Sequence, residues 1–365
     1  MNNKKTILIF ALPVGGGHIS VCKTLKDILS DKYNVEVISH LGDKFLFDNL
    51  ERIYSFSVSY LNIWQIIFNV TFNDRHEYLS KIYNIYLKHI LIKKIKEYSP
   101  DLIISLNSIL NLYIHSCSVE LNIPDITYIS DPFTIHSSWF NSHLKYIFVP
   151  FEETKEYVIK RNSISDTSVL TFPINPKYTD DVSISRDEFF DLYGLDKEKK
   201  IIVISSGGFG NINVKDINLF ISSLIDKYNL IVICAKNEKL YKYLTQRYNN
   251  NSLKILGFVD NMDEILSFSY IHFLKSGPSM LFETIEKGVI PFIFASYGAQ
   301  EKGNIEFILN KKLGYYGNMK QLLSKLPLNN SEFEIMINNI HSFVSESNLK
   351  NEREIILNKI DEIAQ

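Results

Sequence analysis

The chain has little cysteine: three residues in 365, and they lie far apart in the sequence. Cys22, Cys117 and Cys234 have neither the short spacing of a zinc site nor the number that a disulfide framework requires. We therefore predict that the protein binds no metal and works in the reducing cytoplasm.

An excess of charge is also missing, because 39 basic side chains stand against 41 acidic ones and the formal net charge is -2. This balance gives no field that would draw the protein onto nucleic acid, so we expect no nucleic-acid partner. No stretch reaches about 18 uninterrupted apolar residues, which excludes an obvious membrane span. The basic and apolar start of the chain breaks at Pro13 without a cleavage-like ending, which favours a buried strand over a signal peptide.

What the sequence does contain is an alternation of apolar runs and amphipathic segments, which predicts an α/β fold with parallel sheets. A length of 365 residues exceeds what one hydrophobic core organises. Strands are predicted at 6–12, 35–39, 102–105 and 126–129 and, after the prolines at 173 and 176, at 201–205, 230–234, 254–256, 271–274 and 291–294. We predict two Rossmann-like, doubly wound domains facing each other across a cleft, at 1–175 and 176–345, with a helix at 346–365 that packs back on the first.

Residues 51–98 are rich in aromatic side chains and end in a basic cluster, Lys88, Lys93, Lys94 and Lys96. One interpretation is a set of long core helices, since aromatic residues at helical spacing usually pack in a core. The other is a surface that contacts a membrane, with aromatic rings at the interface and lysines near anionic headgroups.

A candidate catalytic cluster follows strands of the first half. Gly16 and Gly17 open the first helix, where the backbone can approach a ligand closely, and His18 can act as a general base near neutral pH. The glycine spacing is neither a dinucleotide fingerprint nor a Walker loop, and a simple tight turn is the alternative.

The segment after the fourth strand carries an acid, a second base and an aromatic ring, Asp131, His136 and Trp139. The segment lies at the edge of the sheet where ligands bind in such folds. The alternatives are a helix cap for Asp131, a surface position for His136 and a core position for Trp139.

The second half repeats the arrangement. The glycine loop of Gly207, Gly208, Phe209 and Gly210 ends its first strand, and Lys275, Ser276, Gly277 and Ser279 lead into a helix that carries Glu283. Backbone amides at that helix start and the Lys275 charge can hold a diphosphate, while Glu283 can accept ribose hydroxyls. Further along, Gln300, Glu301 and Asn304 concentrate polar groups suited to sugar hydroxyls.

Six motifs in this order resemble the family of monogalactosyldiacylglycerol synthases and processive diacylglycerol glucosyltransferases, and more distantly the peptidoglycan N-acetylglucosaminyltransferase family. They are GGGH at 15–18, D-x4-H-x2-W at 131–139, GGxG at 207–210, GFVDNM at 257–262, KSGPS-x3-E at 275–283 and QEKGN at 300–304. The resemblance spans nearly the whole chain. It implies the GT-B architecture of a glycosyltransferase in glycolipid biosynthesis, which moves a hexose from UDP-glucose or UDP-galactose to a hydroxyl acceptor such as diacylglycerol.

The resemblance also implies roles for matching residues. Phe258 and Val259 would contact the uracil, Glu283 the ribose, and Gly207–Gly210 with Ser276–Ser279 the diphosphate. Gln300, Glu301 and Asn304 would contact the hexose. His18 is the first choice for the base that deprotonates the acceptor and Asp131 the second, with His136 nearby and Gly16, Gly17 and Trp139 against the acceptor. The reaction expected is inverting. It uses no cofactor besides the donor sugar and, since no Asp-x-Asp element occurs, no divalent ion.

Three departures from the family pattern bear on the acceptor and the loops. Pro13 and Val14 stand where an acidic residue is usual, Thr171–Pro173 replaces Gly-Ile-Pro, and Ser279 replaces a glycine. A soluble natural product or a polysaccharide unit is therefore an alternative acceptor. Two other functions remain open, a non-catalytic nucleotide-sugar binding protein and a UDP-sugar epimerase. The membrane alternative would place the protein on the inner face of the cell membrane, in contact through residues 51–98.

Overall fold

The computed structural model describes residues 4–11, 16–40, 80–108, 110–136, 139, 144–161, 166–170, 172–208, 210–296, 301–347 and 352–364. Two of the predicted donor ligands, Phe209 and Gln300, lie outside the described residues, as do the aromatic positions between 51 and 79.

Two parallel sheets form the centre of the described structure. The strands are β1 (Thr6–Phe10), β2 (Asn34–Ile38), β3 (Leu102–Ser105), β4 (Asp125–Tyr128), β5 (Tyr146–Val149), β6 (Asp166–Val169), β7 (Ile201–Ser205), β8 (Asn229–Ile233), β9 (Leu253–Leu256), β10 (Ser269–Lys275), β11 (Ile290–Ala295) and β12 (Tyr315–Tyr316). The central strands are aliphatic and buried along their length, because helices cover both faces of each sheet.

Helices connect the strands. They are α1 (Gly16–Leu29), α2 (Ser80–Tyr98), α3 (Asn111–Leu121), α4 (Glu152–Arg161), α5 (Arg186–Tyr193), α6 (Val214–Leu224), α7 (Glu238–Arg247), α8 (Met262–Ser267), α9 (Pro278–Glu286), α10 (Lys302–Asn310), α11 (Met319–Leu323), α12 (Asn330–Glu346) and α13 (Glu352–Ala364). Local sequence sets their ends: Ser185 and Glu188, for example, form a reciprocal capping box at the start of α5, and Gly194 ends that helix in the left-handed conformation.

The order of the strands creates a switch point in each sheet. The first sheet has the order β2-β1-β3-β4-β5-β6 and the second β12-β11-β10-β7-β8-β9, with parallel neighbours throughout. The direction of winding reverses between β1 and β3 and again between β7 and β10. Loops diverge at such points, and doubly wound sheets bind ligands there, at the carboxyl ends of the strands. The prediction of two Rossmann-like, doubly wound sheets is confirmed.

The predicted strand positions agree with the structure to within two residues, but β5, β6 and β12 were not predicted. The sequence of β6 is DTSV, with one aliphatic residue, and β12 is two residues long. Neither gives the continuous apolar run of the predicted strands, whereas β5, with the sequence YIFV, has such a run and was missed.

The chain divides into two compact units, each built on one sheet. The first unit contains Met1–Pro173, Gly298–Gly303 and Asn348–Gln365, and the second contains Ile174–Tyr297 and Asn304–Ser347.

The last helix, α13, belongs to the first unit and contacts α1. Ile356 and Ile360 of α13 are buried, and Asp361 accepts hydrogen bonds from Lys32 and Tyr33. Burial of each isoleucine stabilises the packing by roughly 1.5–3 kcal/mol, whereas a partly exposed ion pair contributes roughly 1 kcal/mol or less. Apolar contact therefore dominates the attachment of this helix.

Helix α2 covers part of the segment for which core and membrane-contact interpretations were both open. Its Leu87, Leu91 and Ile95 are buried in the core of the first unit, and two lysines of the basic cluster, Lys88 and Lys94, form ion pairs with glutamates at 2.7 Å. The core interpretation therefore holds for this face of α2. Within the described part of the chain, no helix combines the length and the apolar composition that crossing a membrane requires.

Candidate functional site

His18 lies in the first turn of α1 and contacts the loop that follows β4. Its Nδ1 is 2.6 Å from the Oγ of the buried Ser130, and its ring centroid is 6.3 Å from that of Trp139. The residues meet because α1 begins beside the switch point of the first sheet, close to the carboxyl end of β4. The structure thus brings together the first and second of the six motifs.

The environment of His18 suits a proton acceptor. Burial lowers the pKa of His18, and the nearby charge of Asp131 acts in the opposite direction. A lowered pKa keeps the imidazole neutral at physiological pH, and the Asp131 charge stabilises the imidazolium once a proton has been taken. In the tautomer whose Nδ1–H donates to Ser130 Oγ, the lone pair of Nε2 is the proton-accepting site.

A chain of buried hydrogen bonds holds Asp131 in place. Trp139 Nε1 donates to Asp131 Oδ2 at 2.8 Å, Asn111 Nδ2 donates to the carbonyl oxygen of Trp139 at 3.1 Å, and Thr127 Oγ1 donates to Asn111 Oδ1 at 2.9 Å. The sequence predicted Asp131 and Trp139 but not Asn111 and Thr127, because neither of these two residues belongs to a motif.

Three further candidates of the first unit lie close to these residues. Gly16 and Gly17 are the first two residues of α1, so their backbone amides are at its positive end. His136 is half-buried in the loop after β4, and its carbonyl oxygen accepts a hydrogen bond from the backbone amide of Trp139 at 3.1 Å.

The glycine loop after β7 has a backbone that only glycine permits. Gly207 and Gly210 have φ values of 67° and 61°, and a Cβ on Gly210 would lie 1.9 Å from the carbonyl oxygen of Cys234. Asn237 Nδ2 donates to the Gly210 carbonyl at 3.0 Å, which ties the loop to the end of β8. A Cβ on the exposed Gly208 would meet no heavy atom within 4 Å, so a ligand can approach the backbone there.

Lys275 joins this loop to the next predicted element. It is the last residue of β10, which pairs with β7 at the switch point, and its Cε and Nζ lie 3.2 and 3.8 Å from the position of a Cβ on Gly207. A positive side chain, a glycine turn and a helix start on adjacent strands form an anion-binding arrangement. In the described ranges, no group of His, Cys, Asp or Glu side chains is arranged to hold a metal ion.

The start of α9 keeps polar atoms available for a ligand. Gly277 is the N-cap and offers no side chain to the amides of the first turn. The backbone before it is fixed, because Ser276 N donates to Ala295 O at 2.9 Å and Asn304 Nδ2 donates to Ser276 O at 2.8 Å. Ser279 Oγ and Asn304 Oδ1 are buried without a hydrogen-bond partner among the described residues. Such atoms are costly unless a ligand or water satisfies them.

Glu283 lies one turn further along α9 and is 7% exposed. The charge of this carboxylate acts on the buried Tyr178. Burial is the main cause that raises the pKa of Tyr178, followed by the charges of Glu283 and Asp263. The Tyr178 hydroxyl therefore stays protonated at any physiological pH. Tyr178 lies outside every motif, and the sequence did not predict its place near Glu283.

The predicted uracil-binding loop follows β9. The ring of Phe258 is 68% exposed, which is unusual for a phenylalanine, and Val259 is half-buried. The loop after β8 links this segment to the glycine loop, since Ala235 N donates to Gly257 O at 3.1 Å and Lys236 N donates to Gly208 O at 3.3 Å. An exposed aromatic ring on a segment that is linked to the glycine loop suits contact with a nucleobase.

Glu301, a predicted hexose ligand, is buried just before α10. The neighbouring Gly303 packs on the loop after β4, where its backbone amide donates to Thr134 Oγ1 at 3.0 Å. A Cβ on Gly303 would lie 2.6 Å from the Cβ of Phe133. The glycine of the QEKGN motif is therefore required by a close approach to the loop that carries Asp131.

A buried histidine connects the end of β7, which leads into the glycine loop, with helix α9. His272 of β10 places Nε2 2.8 Å from Ser205 Oγ, at the end of β7, and Nδ1 2.8 Å from Thr284 Oγ1 of α9. Burial lowers the pKa of His272 to about 3, so the imidazole is neutral and bridges the two hydroxyls. A lone histidine in an apolar strand gives no sequence signal, and this link was not predicted.

Comparison with known proteins gives a consistent result. The family model described as monogalactosyldiacylglycerol (MGDG) synthase matches residues 18–174. A probable monogalactosyldiacylglycerol synthase 3, chloroplastic, of Oryza sativa subsp. japonica is 27% identical over 351 residues, which cover 89% of this chain and 68% of the relative. A processive diacylglycerol beta-glucosyltransferase of Bacillus pumilus is 28% identical over 321 residues, covering 84% of this chain and 82% of the relative.

Solved glycosyltransferases share the fold over the whole chain. Anabaena HepE in complex with UDP-glucose superimposes with a TM-score of 0.57 at 12% identity, covering 98% of this chain and 99% of that one. The resemblance predicted from the six motifs is thus confirmed: over most of its length the chain is similar to the MGDG synthases and processive diacylglycerol glucosyltransferases, and its fold is GT-B.

Proposed function

We propose that the protein transfers a hexose from a UDP-sugar to the hydroxyl of a membrane lipid of the diacylglycerol type. The observation that carries the proposal is the anion-binding arrangement at the switch point of the second sheet. There, Lys275 lies against Gly207, and the buried Ser279 Oγ, one turn before Glu283 on α9, has no hydrogen-bond partner among the described residues. The names of the similar proteins, and the UDP-glucose held by HepE, support the same donor and acceptor classes.

In the donor half of the reaction, the chain binds the nucleotide and stabilises the leaving group. Backbone amides of Gly207, Gly208 and the first turn of α9, with the Lys275 ammonium, stabilise the negative charge that grows on the diphosphate as its bond to the sugar breaks. Glu283 accepts the ribose hydroxyls, and the Phe258 segment contacts the uracil. Glu301 and Asn304 bind hydroxyls of the hexose.

In the acceptor half, His18 removes the proton from the lipid hydroxyl. The acceptor oxygen attacks the anomeric carbon from the face opposite UDP, its proton passes to Nε2 of His18, and UDP departs with the electrons of the broken bond. The Asp131 charge stabilises the imidazolium. One displacement inverts the anomeric centre. Lys275 and the backbone amides stabilise the charge on the diphosphate, and Asp131 stabilises the charge on the imidazolium.

On this proposal the protein acts in the cytoplasm and meets its acceptor at the inner face of the cell membrane. Contact through residues 51–98 is part of the proposal. Support comes from the lysines of α2 and from a lipid acceptor in the names of the similar proteins.

The experiment that tests the proposal supplies donor and acceptor together. Purified protein is incubated with radiolabelled UDP-glucose or UDP-galactose and with phosphatidylglycerol vesicles that contain diacylglycerol, and lipids are extracted and separated. We expect labelled glycolipid that depends on diacylglycerol and whose formation falls by about 10²-fold or more with His18→Ala. A β-linked product, assigned by NMR, would support inversion.

Other outcomes would identify the alternatives. Free hexose or epimerised donor formed without any acceptor would indicate an epimerase or hydrolase, and UDP binding without turnover would indicate a nucleotide-sugar binding protein. Labelling of a soluble glycan in place of the lipid would move the acceptor to the soluble class.

A further inference from the structure

His272 lies in the middle of β10 and contacts a hydroxyl on each of two neighbouring elements. β10 pairs with β7 in a register that places His272 beside Val203, so Ser205, two residues further along β7, is on the same face of the sheet. His272 Nε2 is 2.8 Å from Ser205 Oγ, and His272 Nδ1 is 2.8 Å from Thr284 Oγ1 of α9. All three side chains are buried, so the ring joins the end of a strand to a helix inside the second unit.

The direction of these hydrogen bonds follows from a contact of Thr284 within its own helix. Thr284 Oγ1 donates to the carbonyl oxygen of Met280 at 2.6 Å. A hydroxyl has one hydrogen, so Thr284 can only accept from His272, and Nδ1 of the ring carries a proton. Burial lowers the pKa of His272 to about 3, which keeps the ring neutral at pH 7. Nε2 is then unprotonated and accepts the hydroxyl hydrogen of Ser205.

The two ends of this chain of hydrogen bonds adjoin the elements predicted to bind the diphosphate. Ser205 is two residues before Gly207, the first residue of the glycine loop. Met280 lies in the first turn of α9, where the N-cap Gly277 gives the backbone amides no side-chain cap. Amides from both elements can bind one diphosphate only if their separation is fixed, because hydrogen bonds weaken steeply beyond about 3.2 Å. The buried link between Ser205 and Met280 fixes that separation.

We propose that His272 is a positioning residue for the donor diphosphate, whose Nδ1-protonated ring fixes the distance between the glycine loop and the first turn of α9. The proposal rests on the proposed function, since it requires a uridine nucleotide in the second unit. It assigns a role to a residue outside the six motifs, which is fully buried and acts on the ligand only through its two neighbours. It also specifies which ring nitrogen carries the proton.

NMR of the wild-type protein tests the protonation of the ring without any ligand. Long-range ¹H–¹⁵N spectra of protein labelled with ¹⁵N at histidine distinguish a protonated ring nitrogen from an unprotonated one. The signals of His272 are those that disappear in His272→Asn. We expect a protonated Nδ1 and an unprotonated Nε2 at pH 7. A protonated Nε2, in a neutral or a charged ring, would overturn the proposal, because such a nitrogen cannot accept from Ser205.

The preference for UDP over uridine tests the positioning role, because only UDP carries the diphosphate. Calorimetry gives the affinity for UDP, and displacement of UDP gives the affinity for uridine. His272→Asn keeps a donor in the place of Nδ1 and loses the contact with Ser205, whereas His272→Gln keeps an acceptor in the place of Nε2 and loses the contact with Thr284. A hydrogen bond to a charged group contributes about 10- to 100-fold to affinity, so in both variants the preference for UDP should fall by about tenfold or more.

Variants of the two hydroxyl residues test the same link with the imidazole intact. Ser205→Ala and Thr284→Val should each lower the preference for UDP as the His272 variants do. The double variant Ser205→Ala, Thr284→Val should lower it no further than either change alone, because one break already releases the link. These variants decide the question if the His272 variants do not fold, as judged by urea unfolding.

Tyr248→Phe is the control for the loss of a hydrogen bond elsewhere in the second unit. It removes a half-buried hydroxyl that donates to Asn218 Oδ1 at 2.8 Å, and it should keep the full preference for UDP. An equal fall of the preference in this control would mean that any loss of stability in the unit has the same effect, and the positioning role would be refuted.

The outcomes distinguish this inference from the proposed function. If the wild type binds UDP no better than uridine, the proposed function fails and the inference fails with it. If the wild type prefers UDP and the variants of His272, Ser205 and Thr284 keep that preference, His272 is not a positioning residue, and the proposed function stands.

Discussion

Removal of His18 tests the assignment of the catalytic base. His18→Ala deletes the imidazole beside Ser130, and His18→Gln leaves a polar side chain that can still hydrogen-bond to the serine but cannot accept a proton. Loss of a general base lowers turnover by about 10²–10⁴-fold, or roughly 3–5 kcal/mol of activation free energy. Both variants should show this loss. The elements predicted to hold the nucleotide all lie in the second unit, so the affinity for UDP should stay within about twofold of the wild type.

The contact with Ser130 sets a smaller, separate effect. The 2.6 Å distance between His18 Nδ1 and Ser130 Oγ is that of a hydrogen bond, and such a bond contributes about 1 kcal/mol to the orientation of the ring. Ser130→Ala should therefore reduce turnover by about fivefold, far less than the loss of the base itself. A loss of turnover in Ser130→Ala as large as that in His18→Ala would mean that the serine does more than orient the imidazole.

The pH dependence of kcat/KM tests how burial and the Asp131 charge set the pKa of His18. His18 acts when neutral, so the rate rises with pH through the pKa of His18, and burial places that rise below the range of an ordinary histidine. Asp131→Asn removes the charge that raises this pKa, so the rise should move to still lower pH, with a lower plateau because the imidazolium loses its partner. Initial rates with radiolabelled donor between about pH 4.5 and 9, combined with calorimetry for UDP, measure both quantities.

Two results would refute the reasoning. Wild-type turnover in His18→Ala would exclude His18 as the base and leave Asp131 as the candidate. A shift of the acidic limb to higher pH in Asp131→Asn would mean that the aspartate does not act on His18 by its charge.

The remaining predictions concern close contacts and buried charge. Gly210→Ala places a Cβ against the Cys234 carbonyl in a left-handed backbone, and it should weaken UDP binding by more than about tenfold in calorimetry. Gly303→Ala pushes against Phe133 and should lower turnover while leaving UDP affinity unchanged, which separates hexose from nucleotide binding. In the folded protein His272 stays neutral down to about pH 3, whereas in the unfolded chain it is protonated below about pH 6.5. Protonation therefore favours the unfolded chain, and His272 should lower the free energy of unfolding by about 2 kcal/mol between pH 7 and pH 5. His272→Gln should flatten that slope in urea unfolding, and an unchanged slope would count against the buried neutral imidazole.

The sequence predicted the sheets well because continuous aliphatic runs such as Ile201–Ser205 have few alternatives once glycine loops follow them. It failed for strands such as Asp166–Val169, whose place in the sheet depends on pairing with β5 and not on their own composition. An apolar run identifies a buried central strand, but a strand at the edge of a sheet is identified only by its pairing with the next strand.

In the candidate site, the sequence likewise predicted the residues of the motifs but not the residues that hold them in place. Glycines, Lys275 and Glu283 could be found because phosphate and ribose recognition requires those residue types beside strand ends. His272 could not, since its partners Ser205 and Thr284 are 67 and 12 positions away in sequence and only the folded chain brings them near.

The attachment of α13 to α1 has a consequence for any attempt to study the first sheet by itself. A fragment that stops at Pro173 would lack α13, with its buried Ile356 and Ile360, and would leave the apolar surface under that helix open to water and to other molecules. Such a fragment should aggregate, whereas one in which residues 352–364 are rejoined by a flexible tether should stay dispersed.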